Sequence, residues 1–298
     1  LQIDKNLWFR TITLEREFSR RGESISRGKL QDALQIPQAQ AQDLIFALEN
    51  KDVIRATPDT FEADGERALI LADVHIPFQD KLCVDAIMEY GLEYKPTTII
   101  IDGDLIDFYQ ISRFVKNPQK KSTSTEIEET KKFLTEMRHN FPDAKILYKS
   151  GNHEDRLEHY ICQSATQIYD LVSDLLPVKL NLAGLNIQYL TEPFAVGKLW
   201  VLHGHEKPGG SYNPEYVCNV MWKYIHDHFI VGHFHRKQQK TFKNISGHTF
   251  WTGSLGYCAG AMDYAILNQW TQGFCTVDFS RDGNFRAYNH EISDGEIF

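Results

Sequence analysis

Five short stretches of this chain gather residue types that bind metal ions. They are Asp73-Val74-His75, Asp102-Gly103-Asp104-Leu105-Ile106-Asp107, Gly151-Asn152-His153-Glu154, His203-Gly204-His205 and Gly232-His233-Phe234-His235. Each directly follows an apolar run: ALILA, TTIII, KILYKS, LWVL and HFIV. Imidazole, carboxylate and amide oxygen together suit manganese, iron or zinc better than calcium. Singly each cluster is weak, because a DxH or a GHxH is more often a turn with a satisfied histidine. Five in order, each closing an apolar run, point to one centre built from separate segments.

Such convergence needs a fold that brings strand ends together. From Arg67 onward short apolar runs alternate with amphipathic segments at about 81–94, 126–140 and 153–171. That alternation predicts an α/β fold with buried, largely parallel strands. In open α/β sheets, ligands gather beyond the carboxyl ends of strands. Glycines beside the ligand types permit sharp turns and close backbone approach. Further on, LNIQYL, KLWVLH, HFIVGH, HTFWTG, FCTVDF and FRAYNH are β-rich, interrupted by one helix at about 214–226. Two stacked sheets with helices outside accommodate this pattern.

Composition narrows the class. A formal charge of -8 argues against indiscriminate binding to nucleic acid or acidic lipid. No apolar run approaches the ~18 residues of a membrane span, and the first residues lack a signal-peptide layout. The five cysteines are widely spaced with no CxxC pair, so neither a disulfide framework nor a thiolate zinc site is signalled. A reducing cytoplasm is the expected compartment.

The ordered set DxH, GDxxD, GNH[D/E], a lone His and GHxH resembles the calcineurin-like metallophosphoesterase superfamily, across about residues 67–290. The resemblance implies a four-layer α/ββ/α sandwich over residues 66–298 with two divalent metal ions, manganese first, with iron, zinc or nickel as alternatives. By motif, Asp73, His75 and His235 would hold one ion. Asn152, His203 and His233 would hold the other, and Asp104 would bridge them. Two ions about 3.5–4 Å apart can clamp a phosphate and generate hydroxide near neutral pH. His153 would serve the leaving-group oxygen, and Asp107 would orient its imidazole.

The remaining candidates carry less. His205 is expected to be a donor supporting His203 or a pocket wall, with a surface histidine as the equal alternative. Glu154, Asp155 and Arg156 are expected to cap or pair at the start of the following helix, with phosphate contact by Arg156 as the alternative. Arg113, Lys116, Lys120 and Lys121 are expected in a solvated lid. His226 and His228 are expected to be structural, and Trp251, Tyr257, Trp270 and Phe274 to fill core or pocket wall.

Departures from the known branches bear on the substrate, which the resemblance implies is a phosphoester. Protein phosphatases continue the second block as GDxVDRG; here it is GDLIDFY, with Phe108 in place of arginine. The tyrosine of the purple acid phosphatases is missing. The GHxH ending resembles phosphodiesterases and DNA-repair nucleases, and DVHIPF, GDLIDFYQISRF and GNHEDRLEHY resemble phage and prophage metallophosphoesterases. A phosphodiesterase acting on DNA or RNA, in a phage-infected cytoplasm, is the first expectation. A phosphomonoesterase, or a binding module with the metal domain as a recognition platform, is the alternative.

Residues 1–65 differ in character. Helices are expected at about 7–20, 28–34 and 38–50, then a small hairpin from Val53 and Ile54 back to Phe61. GKLQDALQIPQAQAQDLIFALENKDVI resembles a winged helix-turn-helix. The third helix holds no Lys or Arg but offers Gln38, Gln40, Gln42 and Asn50 to base edges. Assembly or docking through this module is an equal alternative.

Overall fold

A computed structural model describes residues 11, 14, 18, 24–49, 60–61, 65–112, 122–169, 175–207, 214–260 and 268–298. The chain divides into two compact units, Leu1–Pro58 and Asp59–Phe298.

In the small unit, α1 (Arg27–Leu34) opens at Ser26, whose hydroxyl accepts the Lys29 N–H, a side-chain N-cap. It stops at Gln35 in the left-handed region. α2 (Gln38–Glu49) starts directly after Pro37, where a missing N–H costs nothing. Leu30, Leu34, Ala41 and Leu44 bury one another. Val53 and Ile54, the outgoing arm of the expected hairpin, lie outside the described residues. The expected return arm, β1 (Thr60–Phe61), lies within the large unit, where it pairs parallel with Ala195 and Val196.

The large unit continues with β2 (Arg67–Leu71), α3 (Lys81–Tyr94), β3 (Thr98–Asp102), α4 (Thr123–Asn140), β4 (Lys145–Lys149), α5 (Asp155–Ser164), α6 (Leu175–Lys179) and β5 (Ile187–Leu190). Then come β6 (Phe194–Val196), β7 (Leu199–Leu202), α7 (Val217–Ile225), β8 (Phe229–Val231), β9 (Gln238–Lys243), β10 (Thr249–Ser254), β11 (Gln272–Phe279), β12 (Phe285–Ser293) and β13 (Glu296–Ile297). One sheet has the order β13-β12-β11-β2-β3-β4-β5, the other β1-β6-β7-β8-β10-β9. β2 through β5 are parallel neighbours, as are β7, β8 and β10.

Alternation along β2 explains the layers. Leu69 and Leu71 pack with Cys83 and Ile87 of α3 and with Phe133, Leu134 and Met137 of α4. Ala68 and Ile70 point the other way, onto Phe194, Val196, Leu199, Val201 and Ile230 of the second sheet. On that sheet's outer face, Val217 and Met221 of α7 cover Leu202, Phe229 and Val231. The order is helix, sheet, sheet, helix: the four-layer α/ββ/α sandwich. Strands covered on both faces need apolar residues at every position, hence the unbroken ALIL and TIII runs. Trimming the fully buried Ile70 to alanine would cost about 2–5 kcal/mol. Among the described residues no helix is long and apolar enough to cross a membrane, and the cysteines are free thiols.

Candidate metal centre

Beyond their last residues, β2 and β3 stay paired. The Asp73 N–H donates to Gly103 O at 3.1 Å, His75 N–H to Asp104 O at 2.9 Å, and Ile76 N–H to Leu105 O at 2.8 Å. The Asp107 N–H returns to Ile76 O at 3.0 Å. Asp73, His75 and Asp104 adopt φ of 54°, 51° and 50°, and His233 and His235 adopt 66° and 56°. Aspartate and histidine tolerate this left-handed region better than most residues. A Cβ added at Gly151 would stand 2.6 Å from the Asp104 nitrogen, so only glycine lets this loop close against the GDLID loop.

Glu154 holds these loops together. Its Oε2 accepts N–H groups of Asp104 (2.9 Å) and Gly151 (2.7 Å); its Oε1 accepts those of Leu105 (2.9 Å) and Ile106 (3.3 Å) and the Tyr148 hydroxyl (2.7 Å). The expected helix cap is therefore corrected: Glu154 makes no side-chain cap bond to α5. Instead one buried carboxylate satisfies four amides turned away from any strand, a role the DxH-type patterns do not signal. Glu206 does similar work for the next loop. It accepts the N–H groups of His203 and Gly204 and pairs with the buried Lys149 at 3.0 Å.

Among the described residues, three groups of side chains have ligand atoms within 4.8 Å of one another: Asp73, His75 and His235; His75, Asp104 and His153; Asp104, His203 and His233. Asp73 Oδ2 accepts the His233 N–H, while Oδ1 lies 3.1 Å from His235 Nε2 and 3.8 Å from His75 Nε2. His75 Nε2 and His235 Nε2 face each other at 3.0 Å. His203 Nδ1 donates to the Asp102 carbonyl at 2.6 Å, leaving Nε2 aimed at Asp104 Oδ2, 3.3 Å away. Asn152 lies in the turn before α5. Among the described residues its Oδ1, Asp73 Oδ1 and His203 Nε2 are buried without a hydrogen-bond partner. Unsatisfied donors to a cation are what such orphaned, convergent atoms amount to.

Electrostatics follow from burial. Burial alone would raise the Asp104 pKa, yet His153 and His203 hold it well below the usual carboxylate range. Asp73 is likewise lowered against its burial by His235 and His203. His203 is pushed well above its usual value, because Asp104, Asp73 and Asp102 outweigh its burial. His233 falls to about 3 through burial and its neighbour His203. The carboxylates thus draw positive charge into the cluster, as protons or as a metal cation. Asp107 is held below the carboxylate range by hydrogen bonds from His153 and His75, which overcome its burial.

The other candidates fall as follows. His153 Nδ1 meets both the Asp107 carbonyl (2.9 Å) and its Oδ1 (3.1 Å). Arg156 Nη2 reaches His153 Nε2. His205 pairs with Asp155 at 3.2 Å on the rim. Tyr257 stacks on the His235 ring and Trp270 meets it edge-on, so both are site walls. Phe274 is core. His228 accepts the Trp251 N–H and is structural, and His226 closes α7 with φ 54°. Arg113, Lys116, Lys120 and Lys121 lie outside the described residues.

No family model matches the chain. It is 25% identical to the Gene 54 protein of Mycobacterium phage L5 over 182 residues, covering 58% of this chain and 70% of that protein. Among solved structures it is similar to a Vps29 single mutant from Entamoeba histolytica (14% identity, TM-score 0.41, covering 78% and 96% of the two chains). It is also similar to Yfce, a phosphoesterase from E. coli (14% identity, TM-score 0.34, covering 74% and 98%).

Proposed function

We propose that this chain is a dinuclear metal-dependent phosphoesterase that hydrolyses phosphodiesters, with nucleic acid as the substrate class and a phage as its source. The observation that carries the reading is the pair of imidazole nitrogens, His75 Nε2 and His235 Nε2, facing each other at 3.0 Å beside Asp73 Oδ1. His75 Nδ1 donates its proton to the Asp107 carboxylate, which leaves Nε2 as a lone pair directed at another nitrogen. Two such lone pairs repel unless a cation or proton lies between them, and the donor set suits a borderline metal. When bound, divalent ions would supply Lewis-acid polarisation of the phosphoryl oxygens and a nucleophile at neutral pH.

The protein's own residues do the rest. Asp73, His75 and His235 would hold one ion, and Asn152, His203 and His233 the other, with Asp104 shared. Asn152 contributes no charge, so net positive charge is left for the phosphate. The Arg156 guanidinium at His153 Nε2 disfavours that nitrogen as a metal ligand, which supports His153 in the leaving-group role. The exposed Gln38, Gln40 and Gln42 of α2 favour nucleic-acid contact by the small unit.

Hydrolysis of bis-p-nitrophenyl phosphate by manganese-loaded protein, abolished by a chelator, tests the activity. Nuclease assays on single- and double-stranded DNA and RNA, with and without residues 1–58 and across salt concentrations, test the substrate. Truncation that spares all nucleic-acid substrates but dissociates an oligomer would assign the small unit to assembly.

A further inference from the structure

We infer that Arg156 is the arginine that binds the substrate phosphoryl group, an inference that rests on the phosphoesterase reading above. Arg156 reaches the Asp107 loop from the first turn of α5, three residues beyond His153. Its Nη1 donates to the Asp107 carbonyl at 2.6 Å, and its Nη2 lies 2.7 Å from His153 Nε2. His153 Nε2 is in turn 3.6 Å from Asp104 Oδ2, the carboxylate shared by two ligand groups. An oxyanion seated beside His153 and Asp104 is therefore within reach of Nη2. Lys149, the buried lysine of β4, is taken by Glu206 and the Ser150 carbonyl.

The present partner of Nη2 is the His153 imidazole nitrogen. A phosphoryl oxygen carries negative charge, so it adds charge–charge attraction to the guanidinium that an imidazole nitrogen does not offer. Substrate therefore displaces His153 as the acceptor for Nη2, while Nη1 keeps the guanidinium anchored to the Asp107 carbonyl. The exchange leaves His153 Nε2 facing the leaving-group oxygen. Phosphate binding and exposure of the catalytic nitrogen become a single event.

The test compares wild type, Arg156→Ala and Arg156→Lys, each reconstituted with manganese. Orthophosphate binding by calorimetry, KM and kcat for bis-p-nitrophenyl phosphate, and manganese content are measured. Arg156→Ala should keep its manganese and weaken orthophosphate binding about ten- to one-hundred-fold, with a parallel rise in KM. Arg156→Lys should recover part of both. Should Arg156→Ala lose its metal, Arg156→Gln, which can still donate to the Asp107 carbonyl, carries the same comparison. Unchanged orthophosphate affinity with a fall in kcat alone would overturn the assignment and leave Arg156 as a positioner of His153. Orthophosphate binding that depends on Arg156 in a protein that hydrolyses no phosphoester would sink the activity reading and keep this one.

Discussion

The Asp107 carboxylate stands 3.1 Å from His75 Nδ1, and the same oxygen stands 3.1 Å from His153 Nδ1. One acid thus fixes the tautomer of a candidate metal ligand and of the candidate catalytic histidine, turning both Nε2 atoms inward. The motif pattern implies only the His153 contact for Asp107. The second contact predicts that Asp107→Asn lowers manganese affinity about 10- to 100-fold as well as turnover. Competition with a metal-sensitive dye measures the first effect. Intact affinity with impaired turnover would confine Asp107 to His153.

Metal content is the next prediction. Protein reconstituted with excess manganese and desalted should hold two ions per chain by elemental analysis. Asp104→Ala, which removes the carboxylate shared between ligand groups, should hold fewer. A saturable stoichiometry of one in the wild type would end the dinuclear reading.

His153→Ala should retain both ions and lose turnover by ~10²–10⁴. The loss should be greater for esters with poor leaving groups than for nitrophenyl esters, because a good leaving group needs no proton. Equal losses on both substrates would reduce His153 to a shape-determining residue.

Glu126, in the first turn of α4, accepts the Tyr109 N–H through Oε1 while its Oε2 is buried without a partner among the described residues. Burial, then the charge of Asp107, raises its pKa to about 8. In the unfolded chain a glutamate titrates near 4.3. Between those values the folded protein holds a proton that the unfolded chain has lost, so stability falls as pH rises from about 4.3 to 8 and levels off above. Glu126→Gln removes that penalty. The variant should gain on the wild type across this window, by on the order of a few kcal/mol at most. Urea denaturation of the metal-free proteins at pH 5, 6.5 and 8 checks it; a constant gap would mean Glu126 is ionised in the fold.

The strand cores and the motifs at their ends were legible because both leave local marks: unbroken apolar runs and ligand-type residues beside glycines. β9 left none. Its sequence QQKTFK is polar, and it lies at a sheet edge with most of its residues exposed, Phe242 being stacked on Trp222 of α7. The helix expected at about 153–171 stops at Ser164, and a 3-10 turn follows at Thr166–Ile168. An acid at a helix start commonly caps it, which is what the local pattern at Glu154 predicts. Its real partners are amides nearly fifty residues earlier, which no local pattern encodes.

Asp73, His75, Asp104, His233 and His235 all hold left-handed backbone without being glycine. Such conformations cost roughly 1–2 kcal/mol for an ordinary residue, less for Asp and His. Folding and chemistry therefore pull these positions in opposite directions. His233→Gly would relieve strain while removing a candidate ligand, so the variant should be inert yet harder to unfold when metal-free. A thermally optimised version of this chain, selected on folding alone, would drift toward glycine at these five places and end as a robust, silent scaffold.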